Sequence, residues 1–193
     1  MNSTPLRIIE AARSCLLADG YAALSTRRVA EVAGVPLSQI HYHFRGKQGV
    51  IVALLDHENR QLLTRQREMY GSDTPLWQRY EQACDFLEDD LASGYVRVLQ
   101  EMIAAGWSDA DLAARVLTLL QSWFEVLNEV AREAEERFGS LGPVRPADLA
   151  MLIGLSFLGG EAVILLGDEG WNARVRSALR SVGAVIRRFE ESA

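Results

Sequence analysis

The sequence predicts an all-α protein of about nine helices, and three observations carry this prediction. Apolar residues recur with a period of 3.6 residues along nearly the whole chain. No run of alternating β-branched residues between turns indicates a strand. Gly, Pro, Ser, Thr or Asp stand where the periodic segments begin and stop, as they do at helix ends. The composition, 49% hydrophobic and 24% charged, is that of a globular protein with a core.

Caps and breakers bound the helices in order along the chain. Thr4 and Pro5 begin the first helix, and Asp19 with Gly20 end it. The segment 71–75 is the clearest linker, because it separates a long fourth helix from the five that follow. The predicted helices are about 5–19, 26–33, 37–44, 47–70, 75–93, 95–106, 109–138, 145–167 and 171–190.

Charge is distributed unevenly between the two parts of the chain. Residues 1–67 carry nine basic and five acidic side chains, a net charge of +4, while the remaining residues carry −10. A small basic unit joined to a larger acidic one is typical of a protein that meets a polyanion at one end. We therefore expect two domains, 1–46 and 47–193, with helix 47–70 as the connector.

The cysteines and the apolar stretches indicate a cytoplasmic protein. Cys15 and Cys84 lie among apolar residues at helical spacing, so we expect core side chains and no disulfide framework. Residues 1–7 contain no apolar signal region. The uncharged stretch 149–160 ends at Glu161 and is too short to span a bilayer, which predicts no membrane partner.

The first three helices have the lengths and the Gly-containing turn of a helix-turn-helix motif. The third helix is expected to have a core face and a polar face. The core face consists of Leu37, Ile40 and Phe44. The polar face consists of Ser38, Gln39, Tyr42 and His43, with His41 at the edge of the core face. Because this polar face contains hydrogen-bonding groups and no acid, it suits a helix that enters a major groove.

Four cations stand on both sides of that polar helix. Arg27 and Arg28 lie in the first turn of the second helix, and Arg45 and Lys47 flank the exit of the third. This arrangement predicts phosphate contacts on both rims and base contacts between them, with double-stranded DNA as the partner. The alternative is a helical hairpin with a solvated polar face and scattered surface arginines.

The stretch 22–47 also resembles the DNA-binding region of the tetracycline-repressor-like (TetR) family of bacterial regulators. The matching residues are Ser25-Thr26-Arg27, Ala30, Ala33-Gly34-Val35, Tyr42-His43-Phe44 and Lys47. The close resemblance covers about residues 6–55, and beyond it only the number, order and length of the helices agree. It implies a helix-turn-helix DNA-binding domain, followed by a helical ligand-binding and dimerisation domain.

The resemblance also implies roles for individual residues. Thr26 would contact a phosphate and Arg27 would reach a base edge. Leu37, Ser38 and Gln39 occupy the variable base-reading positions, while Tyr42, His43 and Lys47 match the aromatic, histidine and phosphate-binding lysine positions. His41 departs from the family, which commonly has a phosphate-contacting tyrosine there. A histidine can still donate to a phosphate, and such a contact would depend on pH.

The helix over 145–167 is apolar on almost every side, and a domain of this size has too little interior to enclose such a helix alone. We expect a second copy of the chain to cover it, through a four-helix bundle with helix 171–190 across a two-fold axis. The alternative is the core of a monomer. The expected interface residues are Gly154, Phe157, Gly159, Val163, Val175, Leu179 and Val182.

Large apolar side chains of the later helices are candidates for a ligand pocket, although such residues more often form a core. The candidates are Phe86, Met102, Trp107, Trp123 and Phe124.

No catalytic residue, metal site or cofactor is expected. His41 and His43 are two residues apart on a helix and so point in nearly opposite directions, which prevents them from sharing a metal ion with His57. The expected function is that of a ligand-responsive transcriptional regulator. It would be a repressor that binds a palindromic operator as a homodimer and is released by a small effector. The alternatives are an activator or ligand-independent regulator and, in another class, a helical-bundle enzyme or small-molecule carrier.

Overall fold

The computed structural model describes residues 3–139 and 143–192, and it contains nine α-helices and no strand within these ranges. The predicted all-α fold is confirmed. The helices are α1 (Thr4–Ala23), α2 (Thr26–Ala33), α3 (Leu37–Phe44), α4 (Lys47–Tyr70), α5 (Leu76–Ser93), α6 (Tyr95–Gly106), α7 (Ala110–Phe138), α8 (Pro146–Ile164) and α9 (Glu169–Ser192).

The predicted helix ends differ from the observed ones mainly at glycines. Gly20, where the first helix was expected to end, has φ 76° and ψ 169° and kinks α1 before a last turn to Ala23. α8 ends at Ile164, three residues earlier than expected, and α9 begins at Glu169, two residues earlier. A side-chain oxygen of Asp168 accepts a hydrogen bond from the amide of Trp171 (2.8 Å), which caps this earlier start of α9.

The chain forms two compact units. The first comprises the residues up to Gln61 together with Gly94–Leu119, and the second comprises Leu62–Ser93 and the residues from Leu120 onward. Two of the three boundaries lie inside α4 and α7, so these helices contribute residues to both units. The expected division at residue 46 does not coincide with a boundary between these units, and it remains a prediction.

The first unit is organised around α1, which packs on α2, α3 and α6. Its core contains the fully buried side chains of Ile8, Leu16, Ile40 and Met102. Arg7 joins α1 to the end of α2, because its guanidinium donates to the backbone oxygen of Ala33 (2.6 Å) and to that of Gly34 (3.2 Å).

The second unit is built on α9, which packs on α5 and on α8. The carboxylate of Glu190 on α9 accepts hydrogen bonds from the amides of Leu76 (3.0 Å) and Trp77 (2.9 Å) and so caps α5. Arg79 on α5 is 3% exposed and donates to the backbone oxygens of Thr74 and Tyr70, at 2.8 and 2.7 Å.

α8 continues beyond the uncharged stretch 149–160, which was expected to be too short to span a bilayer. It runs through Glu161 and has 19 residues, so by length and composition alone it could cross a bilayer. A core helix of a globular protein passes the same test, and one third of the α8 window is buried within the chain. The cysteines agree with expectation, since Cys15 and Cys84 are both free and buried.

Candidate nucleic-acid interface and ligand cavity

α2 and α3 form the expected helix-turn-helix. The Ser25 hydroxyl accepts a hydrogen bond from the Arg28 amide (3.2 Å) and caps the start of α2. Gly34 ends α2 in the left-handed conformation, with φ 62°. Pro36 then stands at the N-cap of α3, where its missing amide costs no helical hydrogen bond.

Few side chains of α3 are buried in the first unit. Ile40 is fully buried, whereas Tyr42 is 80% exposed and the two neighbouring histidines, His41 and His43, are also exposed. The Tyr42 and His43 rings meet edge to face at 4.9 Å.

Leu37 was expected on the core face of α3, but it lies at the surface. It is 36% exposed, beside the exposed Ser38 and the half-buried Gln39. Leu37 is the first residue of the helix, so no preceding turn covers it, and it lies at the surface with the other expected base-reading residues.

The cationic side chains around α3 differ in their exposure and in their ion pairs within the chain. Arg27 is exposed and makes no ion pair with any part of the chain that the structure describes. Arg28 is paired with Glu31, three residues further along α2, at 3.1 Å. Thr26 is the first residue of α2 and is half-buried. Arg45 is exposed and ends α3 with φ 60°, an uncommon conformation for a residue with a Cβ atom.

Lys47 is held within the chain. Its Nζ donates to the backbone oxygen of Tyr21 (2.8 Å) and lies 4.4 Å from the centroid of the Tyr21 ring. Partial burial lowers the pKa of the Lys47 amine below its usual value. The Tyr21 amide donates in turn to the Glu101 carboxylate on α6 (3.2 Å). A phosphate bound by Lys47 must therefore compete with Tyr21.

Gly49 allows α4 to pack close to the end of α3. A Cβ atom at Gly49 would lie 1.8 Å from the backbone oxygen of Phe44 and 2.8 Å from its carbonyl carbon. Because both obstacles are backbone atoms, no rotation of a side chain relieves the clash. Sequence reasoning missed this contact, since a glycine early in a helix has many other uses.

The second unit contains an apolar cavity of about 320 Å³. Its wall is formed by the end of α4, the first turns of α5, the later part of α7, the start of α8 and the later part of α9. Three lining residues have polar side-chain atoms: Tyr70, Tyr80 and Glu190. The cavity is partly open, beside the exposed side chains of Val185 and Phe189.

None of the five predicted pocket residues lines this cavity. Trp107 is 83% exposed and lies at the surface, which contradicts its expected place in a pocket. It follows α6 directly, where Gly106 ends the helix. Met102 is a fully buried core residue of the first unit. Phe86 packs under the Arg65 guanidinium, 4.3 Å from it.

Trp123 and Phe124 are neighbours on α7 with different surroundings. A Cβ atom at Gly154 would lie 2.2 Å from the Phe124 ring, which therefore packs directly on α8. Trp123 is 8% exposed, and its indole N–H has no hydrogen-bond partner in the described ranges. A buried donor without an acceptor is unusual, so Trp123 stays a candidate for a polar contact with a ligand.

The expected interface residues divide into inward and outward groups. Gly154, Phe157 and Leu179 are buried within the chain itself, so they are not available to a partner. Val163, Val175 and Val182 are half-buried, and Gly159 is exposed with open space beside it. The large apolar residues of α8 that are exposed are Met151, Leu152 and Leu155, which sequence reasoning did not name. The sequence of a helix that is apolar on every side does not indicate which of its faces points to solvent, so these residues could not be predicted from the pattern.

Among residues 3–139 and 143–192, no cluster of three or more His, Cys, Asp or Glu side chains could hold a metal ion.

Comparison with known proteins relates this architecture to one family. Residues 8–54 match the model of the bacterial regulatory proteins of the tetR family. A 59-residue segment is 39% identical to an uncharacterized HTH-type transcriptional regulator, YvkB, of Bacillus subtilis (strain 168), and it covers 31% of each protein.

The fold is similar to solved structures over nearly the whole chain. A putative TetR-family transcriptional regulator from Rhodococcus sp. superposes with a TM-score of 0.79 at 19% identity, covering 96% of this chain and 99% of that one. The transcriptional regulator FadR from Bacillus subtilis, in complex with stearoyl-CoA, gives a TM-score of 0.75 at 16% identity, covering 94% and 96%.

The fold and the helix-turn-helix surface define the class of protein, which is all-helical within the described residues and has an N-terminal helix-turn-helix motif. Its residues 8–54 match the tetR family of bacterial regulatory proteins, and the chain shares the fold of the putative TetR-family regulator from Rhodococcus sp.. The relative and the neighbours named above are transcriptional regulators.

Proposed function

We propose that this protein is a cytoplasmic homodimeric repressor that binds a palindromic operator and is released by a small effector. The observation that carries the DNA-binding part is the exposed polar surface of α3. Ile40 anchors this helix, while Ser38, Tyr42 and His43 remain exposed. This exposed face contains planar and hydrogen-bonding groups and no acid, and Arg27 beside it makes no ion pair with the described residues, which supports a surface that enters a major groove.

In this proposal, different side chains contact the bases and the phosphates. Leu37, Ser38 and Gln39 read bases from the start of α3, and Arg27 reaches a base edge from α2. Phosphates are contacted by Thr26, Arg28, His41, Tyr42, His43 and Lys47. Arg28 leaves Glu31 and Lys47 leaves Tyr21 when they bind, so both contacts exchange an internal partner for a phosphate.

The dimer is supported by the uncovered apolar face of α8. Leu152 is 61% exposed and Leu155 is 53% exposed, one turn apart on the same helix as Gly159. Exposed leucines at this spacing form a stripe that another helix can cover, and Gly159 allows that helix to approach closely. In this proposal the half-buried Val163, Val175 and Val182 border the stripe.

The test of DNA binding is a mobility shift with genomic fragments of the source organism, followed by the Arg27→Ala variant on the fragment bound. The variant should lose about 1–3 kcal/mol on its operator, and base preference should relax at one position in each half-site. An equal loss on random DNA would make Arg27 a phosphate contact. If wild-type protein binds no fragment and instead turns over a compound or carries a bound chromophore, the enzyme or carrier alternative replaces the proposal.

Gly159→Glu tests the dimer. Among the described residues, no atom outside the backbone of its own helical turns lies within 4 Å of a Cβ position at Gly159, so the monomer should tolerate the change and keep its helix content. Across an α8 seam, however, the carboxylate would be buried without a partner. Sedimentation should show a monomer, and operator binding should be lost with the dimer. The operator itself should be a near-palindrome with half-sites about 34–36 Å apart, or a multiple of this.

A monomeric variant that binds the operator normally would contradict the dimer proposal.

Effector release requires linkage between two binding equilibria. The effector must bind the DNA-incompetent state more tightly, and ordinary allosteric coupling is about 1–3 kcal/mol. α4 runs from Lys47 to Tyr70 without interruption, and two glycines inserted near Leu55 should weaken the coupling without abolishing effector binding. Effector affinity is measured by calorimetry with and without operator. If operator leaves that affinity unchanged, release by this effector is excluded.

A further inference from the structure

We infer that the apolar cavity of the second unit binds an uncharged, largely apolar molecule with one hydrogen-bond acceptor, which it presents to the Tyr70 hydroxyl. This inference rests on the proposed function, in which a small effector binds the helical part of the chain. It differs from the pocket expected from the sequence, which involved other residues.

The size and lining of the cavity define the ligand class. A volume of about 320 Å³ lies at the lower end of the usual range for small-molecule sites, about 300–1,000 Å³. The wall is mostly aliphatic and aromatic, and no Lys, Arg or His belongs to it among the described residues. A buried anion would therefore lack a counter-charge, so the cavity does not suit a carboxylate or a phosphate.

Two of the three polar lining residues are already occupied. The Tyr80 hydroxyl donates to the backbone oxygen of Leu179 (3.0 Å). The Glu190 carboxylate accepts from the amides of Leu76 and Trp77 at the start of α5. The helix terminus thus partly compensates the Glu190 charge, which lowers its attraction for a cation.

Tyr70 is the polar group that remains. Its backbone oxygen accepts from Arg79, but its hydroxyl has no partner in the part of the chain that the structure describes. Burial raises the pKa of this phenol, so the hydroxyl keeps its proton at neutral pH and is a donor. Because Tyr70 lines the cavity and its hydroxyl has no acceptor within the described residues, it favours a ligand that supplies one.

The test uses matched naphthalene probes and the full-length protein, with affinities measured by calorimetry. The neutral ketone is 2-acetylnaphthalene, and 2-isopropenylnaphthalene has the same shape without the oxygen. The charged probes are 2-naphthoate and 2-naphthyltrimethylammonium. The ketone should bind about three- to tenfold more tightly than the alkene, which is the gain expected from one hydrogen bond. Both charged probes should bind at least about tenfold more weakly than the ketone.

Variants locate the site and the donor. Tyr70→Phe should bring the ketone-to-alkene ratio to about one while alkene binding persists. Tyr80→Phe is the matched control, because its hydroxyl is used by Leu179, and it should keep the wild-type ratio. Ala134→Phe fills the cavity from α7 and should weaken every probe, with helix content checked by circular dichroism.

Each contrary result has a distinct meaning. Binding of no probe overturns the site, equal binding of a charged probe overturns the ligand class, and an unchanged ratio in Tyr70→Phe overturns the role of Tyr70. A mobility-shift assay with DNA on the same samples shows whether a failure concerns the cavity inference or the proposed function. If DNA binds and no probe does, only the cavity inference fails, and if probes bind but DNA does not, only the proposed function fails.

Discussion

Arg79 on α5 donates two hydrogen bonds to the carboxylate of Glu133 on α7, at 2.7 and 3.0 Å. This paired geometry is the strong form of an arginine–carboxylate interaction. The same guanidinium satisfies the backbone oxygens of Thr74 and Tyr70, in the segment that joins α4 to α5. One side chain therefore ties three parts of the second unit together.

We expect Arg79→Met to destabilise the protein by about 3 kcal/mol, because it leaves two backbone oxygens without their donor and the Glu133 carboxylate with Arg137 alone. The measurement is urea unfolding followed by circular dichroism. Arg145→Met is the control, since Arg145 pairs with Asp148 at the exposed start of α8. That variant should unfold at the wild-type urea concentration. Equal midpoints for Arg79→Met and Arg145→Met would contradict the structural role of Arg79.

The same contact predicts a pH dependence of stability. The hydrogen bonds from Arg79 lower the pKa of Glu133 below its ordinary value of 4.5, and Arg137 adds to the effect. A carboxyl with a lowered pKa in the folded state contributes stability above its unfolded pKa, and this contribution is lost as the pH falls through the folded pKa. The stability difference between wild type and Glu133→Gln should therefore shrink between about pH 6 and pH 3. A difference that stays constant over this range would show that ionisation of Glu133 does not contribute.

Gly49→Ala should disrupt the junction of α3 and α4. The added Cβ would overlap the backbone of Phe44, and relief requires the two helices to separate. We expect a loss of more than about 2 kcal/mol in unfolding free energy, together with weaker DNA binding. Gly170→Ala is the matched control, because its Cβ would meet only a side-chain oxygen of Asp168 at 3.4 Å. Gly49→Ala with normal stability and normal DNA affinity would disprove the requirement for glycine.

Lys47→Ala should weaken binding to all DNA sequences to a similar degree. Removing one phosphate contact should lower the slope of log affinity against log salt by about one for each site lost. Affinities measured from low to moderate salt on operator and random DNA provide this slope. An unchanged slope would mean that Lys47 stays on Tyr21 when DNA binds. It would then be a structural residue of the first unit.

The sequence predicted the helices well because their signals are local. Ser25, Gly34 and Gly94 each mark a helix end through their own backbone or side chain, and the apolar period is visible within one helix. The exposed polar face of α3 followed from the same period. These features depend on residues that are close in the chain.

The cavity and the internal contacts of the cations could not be predicted in this way. Tyr21 and Lys47 are 26 residues apart, and the bond uses a backbone oxygen that every residue possesses. Similarly, the cavity exists only where five helices from distant parts of the chain leave space between them. The prediction that Trp107 lines a pocket was wrong because a large aromatic residue does not itself indicate whether the preceding helix has ended.

The cap that Glu190 places on α5 also affects how the protein folds. Glu190 lies 114 residues from Leu76 along the chain, so this contact closes a very long loop and contributes strongly to the contact order. The first turn of α5 gains its cap only when α9 docks. We therefore expect α5 and α9 to acquire protection from amide hydrogen exchange in the same kinetic phase of refolding, after α2 and α3, whose contacts span short stretches of sequence.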